Sequence, residues 1–228
     1  MFYFDPTFIL VIIGIVLCLI ASANVKMTYN KYNKLHGRRG ITAKEVAEWI
    51  LRSGGIRDVS VVRTKGELTD HYVPRAGEVR LSEVVADSTS VAAIGVAAHE
   101  CGHVLQHENN YLPLKVRSVI IPVANIGSTL SWPLILFGVI FGLGRLVSIG
   151  IILFSFVLVF QLVTLPVEFN ASKRAMKILN ESGMLVEDEL RGAKKVLTAA
   201  ALTYVTSVLF SALQLLRLWI LFGGRRRR

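Results

Sequence analysis

Charge is scarce in this sequence: 18% of its 228 residues are Asp, Glu, Lys or Arg, while 53% are hydrophobic and the mean hydropathy is +0.53. That composition excludes a disordered or collagen-like chain and is too oily for an ordinary soluble domain. Acidic residues are the scarcer sign, 16 against 26 Lys and Arg, leaving a net charge of +10. Such a basic surplus on an apolar chain points to a membrane surface before nucleic acid. Cysteine is nearly absent, with Cys18 inside an apolar run and Cys101 its only companion, so a structural disulfide is not expected. There is no internal repeat, and low complexity is confined to the terminal Arg225, Arg226, Arg227 and Arg228.

What the chain does have is long apolar runs. Four of them, residues 8–23, 119–141, 146–167 and 196–216, are of the length that crosses a hydrocarbon core of about 30 Å as a helix. The first lacks a basic stretch before it and a small-residue cleavage site after it, and reads as an uncleaved anchor. The second and third, separated by a few residues around Arg145, read as a tight hairpin. The expected organisation is an anchor over 1–24, a catalytic domain over 25–118, a transmembrane hairpin over 119–167, a helix and connector over 168–195, and a last transmembrane helix with a basic tail over 196–228. Both polar pieces fall on the same side of the membrane and can build one site. Lys26, Lys31, Lys34, Arg38 and Arg39, then Lys115 and Arg117, then Lys173, Arg174 and Lys177 crowd that side, which the positive-inside rule makes cytoplasmic. The fold class is therefore a mainly α membrane protein: four transmembrane helices with a small α+β catalytic domain, zincin-like in its expected form.

Within the first polar piece, Thr42 and Glu45 form a capping box whose helix ends at Gly54 and Gly55. Short strands are expected over 59–63, 71–73 and 78–82, separated by turn signals at Lys65-Gly66 and Pro74 to Gly77. Asp87, Ser88 or Ser90 then caps a helix that runs through His99 to His107. Its apolar part is too short to cross a membrane and suits a buried core helix.

That helix carries His99-Glu100-Cys101-Gly102-His103. Residues four apart lie on one helix face, about 6 Å along the axis, so both imidazoles can reach one zinc ion. Glu100 then stands beside the metal without ligating it, where a carboxylate can take the proton from a zinc-activated water and pass it to a leaving amine. For this composition chance yields about 0.005 such motifs per chain, which disfavours coincidence. Cys101 points to another helix face and reads as packing.

A catalytic zinc needs a third protein ligand and an open position. His107 is about 12 Å along the axis from His99, too far to share one ion, and reads as a helix-end polar residue. Glu168, just past Pro166 at the end of the third span, is the better candidate. Its alternative is an interfacial carboxylate paired with Lys173 or Arg174. Ser172, four residues on, shares its face and could orient a ligand.

The motifs LTDHYVPRAGEVRLSE, AAIGVAAHECGHVLQH, PVEFNASKRA and GAKKVLTAAALTYV, in that order, resemble the YugP-like neutral zinc metallopeptidases, integral-membrane proteins that carry HExxH. The layout is similar to that of the HtpX-like and CAAX prenyl membrane proteases, which also place a transmembrane hairpin between HExxH and a glutamate ligand. The resemblance implies a zinc-dependent endopeptidase with one zinc per chain, His99, His103 and Glu168 as ligands and Glu100 as general base. Where the related groups carry Asp four residues after the ligand glutamate, this chain has Ser172, and Asn170 stands where an acidic residue is expected.

Two weaker features complete the site. The strand containing Leu81 and Ser82 either offers an exposed edge to an extended substrate or is simply a core strand. His71 and Tyr72 either donate to the oxyanion that develops on the attacked carbonyl or serve as structural hydrogen-bonding groups. Competing functions are a divalent-metal transporter and a non-catalytic zinc-binding membrane protein. The expected partners are protein or peptide substrates, membrane proteins among them, and anionic lipid head groups that bind the basic tail; nucleic acid is not expected.

Overall fold

A computed structural model describes residues 5–66 and 69–223. The terminal arginines, on which the lipid-binding expectation partly rests, lie outside the described residues. Helix dominates: α1 spans Phe8–Asn33, α2 Ala43–Ser53, α3 Glu83–Ala86, α4 Val91–Glu108, α5 Leu112–Ile140, α6 Gly144–Ser182 and α7 Glu187–Phe222. Among the described residues α1, α5, α6 and α7 are long and apolar enough to cross a membrane. They coincide with the four runs legible in the sequence, but each extends past its run into polar residues. An apolar run marks only what lipid can cover, and backbone hydrogen bonding carries a helix further. α6 continues through Pro166 without a break and so carries Glu168.

The chain divides into two units. The first, residues 1–22, 115–166 and 202–228, holds among its described residues parts of the four helices that are long and apolar enough to cross a membrane. Its apolar side chains face outward, as a lipid solvent allows: only Val11, Gly14 and Ala21 of α1 are buried. Small residues let its helices approach closely. A Cβ on Gly127 would stand 2.6 Å from the Leu153 carbonyl oxygen, and one on Gly150 would stand 2.8 Å from that of Ser131.

The second unit, residues 23–114 and 167–201, has its own core. The capping box at Thr42 and Glu45 opens α2 as expected, and Gly54 caps its end. α2 buries Val46, Ala47, Ile50 and Leu51 against α4. The sheet contains β1 (Ser60–Thr64), β2 (His71–Val73) and β3 (Glu78–Ser82) in the order β1-β3-β2, with β3 parallel to β1 and antiparallel to β2. β3 is therefore the central strand, paired on both sides over Glu78, Val79 and Arg80 and with β1 alone at Leu81 and Ser82, and Leu81 is fully buried in the core. Of the two readings of Leu81 and Ser82, the burial of both side chains matches a core strand, while on the β2 side the Ser82 amide is taken by Asp70 Oδ1 at 2.8 Å. β1 reaches β3 by a parallel crossover, and the free edges fall to β1 and β2.

Candidate metal centre

Ser90 caps α4, its hydroxyl accepting from the Ala93 amide at 3.1 Å and donating to Asn33 Oδ1 at 2.8 Å. The first turns of α4 are Ala92, Ala93, Gly95, Ala97 and Ala98, whose small side chains let the helix sit fully buried. Gly102, between the two histidines, takes this to its limit. A Cβ there would lie 2.5 Å from the carbonyl oxygen of Ala171 on α6, so only glycine permits the approach of these two helices.

That approach brings Glu168 to the histidines. Glu168 Oε2 lies 3.3 Å from His99 Nε2 and 3.7 Å from His103 Nε2, with the carboxylate 3% exposed. The imidazoles meet edge to face, their centroids 4.8 Å apart. One ligand atom from each of the three residues falls within 4.8 Å of the others. Around a tetrahedral zinc with bonds of about 2.0–2.1 Å, ligand atoms stand roughly 3.3–3.5 Å apart, and two imidazoles with one carboxylate are a common catalytic donor set, so these residues fit the ion.

Each imidazole is held from behind. His99 Nδ1 lies 3.1 Å from Ser172 Oγ, and His103 Nδ1 lies 3.0 Å from Gln106 Oε1. With Nδ1 protonated and donating to these oxygens, both Nε2 lone pairs are free on the Glu168 side. Burial works against a charged imidazole at His103, but the hydrogen bond that the protonated ring donates to Glu168 and the charges of Glu100 and Glu168 outweigh it and raise its pKa above 6.5. Glu100 is buried at 8% exposure, and among the described residues no hydrogen bond or ion pair occupies its carboxylate.

Sequence reasoning passed over Gln106. Its side chain is fully buried, and Nε2 donates to the Val167 carbonyl at 2.7 Å and to Asn170 Oδ1 at 3.1 Å. Gln106 thus ties His103 to the segment that carries Glu168. The signal available was its place three residues after His103, where i and i+3 side chains meet on a helix. Asn170 Oδ1 also accepts from Arg174 Nε at 2.8 Å, so a neutral amide serves where an acid was expected. This engages Arg174 with Asn170 and not as the simple surface partner of Glu168.

The remaining candidates fall elsewhere. His107 is half exposed, and its Nδ1 lies 3.3 Å from Tyr72 Oη. His71 Nδ1 lies 2.6 Å from the Thr69 carbonyl oxygen. Ser82 directs its amide and hydroxyl to Asp70 at 2.8 and 3.2 Å. Burial pushes the Asp70 pKa up against those two bonds. Cys101 is fully buried beside the Ala47 carbonyl oxygen, with its thiol pKa pushed far up by burial. The structure therefore gathers His99, His103, Glu168 and Ser172, while His71 meets Thr69, Ser82 meets Asp70 and Leu81 packs in the core.

Comparison with known proteins agrees in kind. Residues 7–223 match the family described as "Putative neutral zinc metallopeptidase". A protein of Bacillus subtilis (strain 168), described as "Putative membrane protease YugP", is 46% identical over 206 residues, covering 90% of this chain and 92% of that relative. No solved structure matches.

Proposed function

This chain belongs to the neutral zinc metallopeptidase family, and from that premise and the site's geometry we propose that it is a membrane-embedded endopeptidase with a zincin-like catalytic unit. The family implies zinc, a peptide substrate and a membrane protease. The finer reading is that His99, His103 and Glu168 hold one zinc ion per chain, with Glu100 as general base. One observation carries it: the carboxylate of Glu168 stands 3.3 and 3.7 Å from the two Nε2 atoms of an HExxH pair.

When bound there, zinc supplies Lewis acidity, lowering the pKa of water to about 7 and polarising the scissile carbonyl. The protein supplies the rest. Glu100 accepts a proton from the attacking water as the new C–O bond forms, then returns it to the amide nitrogen as the C–N bond breaks, leaving a carboxylic acid and an amine. Ser172 and Gln106 fix the two imidazoles, so no ligand must reorient during the reaction.

We further propose that the catalytic side is cytoplasmic, on the evidence of the short-range Lys and Arg, that substrates include membrane proteins, and that anionic head groups are met through the basic segments. The experiment is Glu100→Gln. The variant retains zinc at wild-type stoichiometry, because Glu100 is not a ligand, and loses about 10²–10⁴-fold in peptide turnover. Undiminished turnover refutes the role of Glu100. Zinc flux in proteoliposomes without cleavage by the wild type would favour a transporter instead.

A further inference from the structure

In the unit of membrane-crossing helices, Ser131 Oγ, Gln161 Oε1 and Gln214 Oε1 are buried without a hydrogen-bond partner among the described residues. They come from α5, α6 and α7 and line one cavity of about 250 Å³, together with Cys18 of α1. Ser131 is fully buried and Gln214 is 7% exposed. A hydrocarbon solvent offers such atoms no water, so polar side chains converging at membrane depth imply a partner that enters the cavity.

The lining defines the chemistry of that partner. None of its residues is charged, so an ion would be left uncompensated. Several donors are already spent: Ser128 Oγ donates to the Asn125 carbonyl at 2.9 Å, Ser207 Oγ to that of Thr203 at 2.8 Å, and the Cys18 thiol to that of Thr206 at 3.6 Å. The fully buried atoms left unmet are the two glutamine carbonyls, which only accept, and the Ser131 hydroxyl, which does both, so the partner must donate and a hydroxyl group answers all three. Phe154, Val157 and Phe210 give the cavity apolar walls. Ser128 and Trp132 mark its exposed end, Trp132 being 42% exposed, and on a membrane-crossing helix that end faces lipid. A transmembrane helix about 10 Å wide cannot enter so small a space and has already spent its backbone N–H groups. A glyceryl-sized head with free hydroxyls fits both the size and the polarity.

We propose that this cavity binds the hydroxyl-bearing head of a neutral membrane amphiphile, which donates hydrogen bonds to the carbonyls of Gln161 and Gln214. The test is the thermal unfolding midpoint of the purified full chain in non-ionic micelles, with 1-monooctanoylglycerol or methyl octanoate at equal micellar mole fraction. The monoglyceride raises the midpoint by roughly 5 °C near saturation, and the ester, which has no donor, leaves it unchanged. The Gln161→Leu/Gln214→Leu variant loses the rise. Equal rises with both compounds, no rise with either, or a rise that survives in the double variant would each overturn the proposal. If the double variant does not fold, the contrast between the two compounds on the wild-type chain decides alone.

Discussion

Gln106 donates from α4 to the backbone carbonyl of Val167 on α6 at 2.7 Å, one residue before Glu168. Its other amide atom accepts from His103, so one buried side chain sets both the distance between the two helices and the tautomer of a proposed zinc ligand. Gln106→Leu removes the partner of His103 Nδ1 and frees the ring to turn. Zinc affinity, read by chelator competition, is expected to fall about 10–100-fold. Thermal stability of the zinc-free protein is expected to fall by about 1–3 kcal/mol, since buried polar groups lose their partner. Unchanged zinc affinity would make Gln106 a packing residue only.

Gly102 and Gly95 lie on the same helix and should respond oppositely to alanine. At Gly102 the added Cβ meets the Ala171 carbonyl oxygen at 2.5 Å and its carbon at 3.0 Å, and backbone cannot give way without separating α4 from α6. Gly102→Ala should cost about 1–3 kcal/mol and weaken zinc binding together with activity. At Gly95 the nearest atom is the Ala193 Cβ at 3.5 Å, an ordinary contact. Gly95→Ala should be neutral or stabilising by up to about 1 kcal/mol, because alanine favours helix. Chemical denaturation of both variants measures the pair.

Ser172 stands where related proteases carry Asp, and its Oγ is 3.1 Å from His99 Nδ1. Ser172→Ala leaves that imidazole nitrogen without its oxygen and should lower zinc affinity about tenfold. Ser172→Asp should raise it above wild type, a carboxylate being the stronger acceptor. Chelator competition on the two variants checks the order Asp, Ser, Ala.

Asp70 supplies a pH dependence that does not involve the proposed zinc ligands. Burial raises its pKa above the ordinary 3.8 despite the two hydrogen bonds from Ser82. A carboxyl whose pKa rises on folding binds its proton more tightly in the native state. Its contribution to stability is fully present below pH 3.8 and is lost as pH rises through the folded-state value. Asp70→Asn keeps an acceptor for the Ser82 amide and cannot titrate. The stability of wild type minus variant, from unfolding midpoints between about pH 3 and pH 7, should therefore decrease with rising pH and then level off. A difference that grows with pH would contradict the assignment.

Much of this was legible in the sequence because it is local. The four apolar runs mark the helices long and apolar enough to cross a membrane, the spacing of His99 and His103 is a helical-face relationship, and Thr42 with Glu45 sets the start of α2. The bounds of β2 and β3 also follow from turn residues on either side. What was not legible depends on which element lies beside which. The order β1-β3-β2 places Glu78, Val79 and Arg80 between two strands, and nothing in those residues distinguishes a central strand from an edge. Gln106 gains its role only once Val167 and Asn170 are its neighbours, 61 and 64 residues away in sequence. α3 is a single turn, too short for a periodic pattern to reveal.

The most direct measurement is a zinc K-edge X-ray absorption spectrum of the purified full chain, compared with that of Glu168→Ala. Two imidazole nitrogens and a carboxylate oxygen at about 2.0–2.2 Å are expected in the wild type, with the carboxylate contribution lost in the variant. A sulfur scatterer at about 2.3 Å, or a spectrum identical in the two proteins, would contradict a site built from His99, His103 and Glu168.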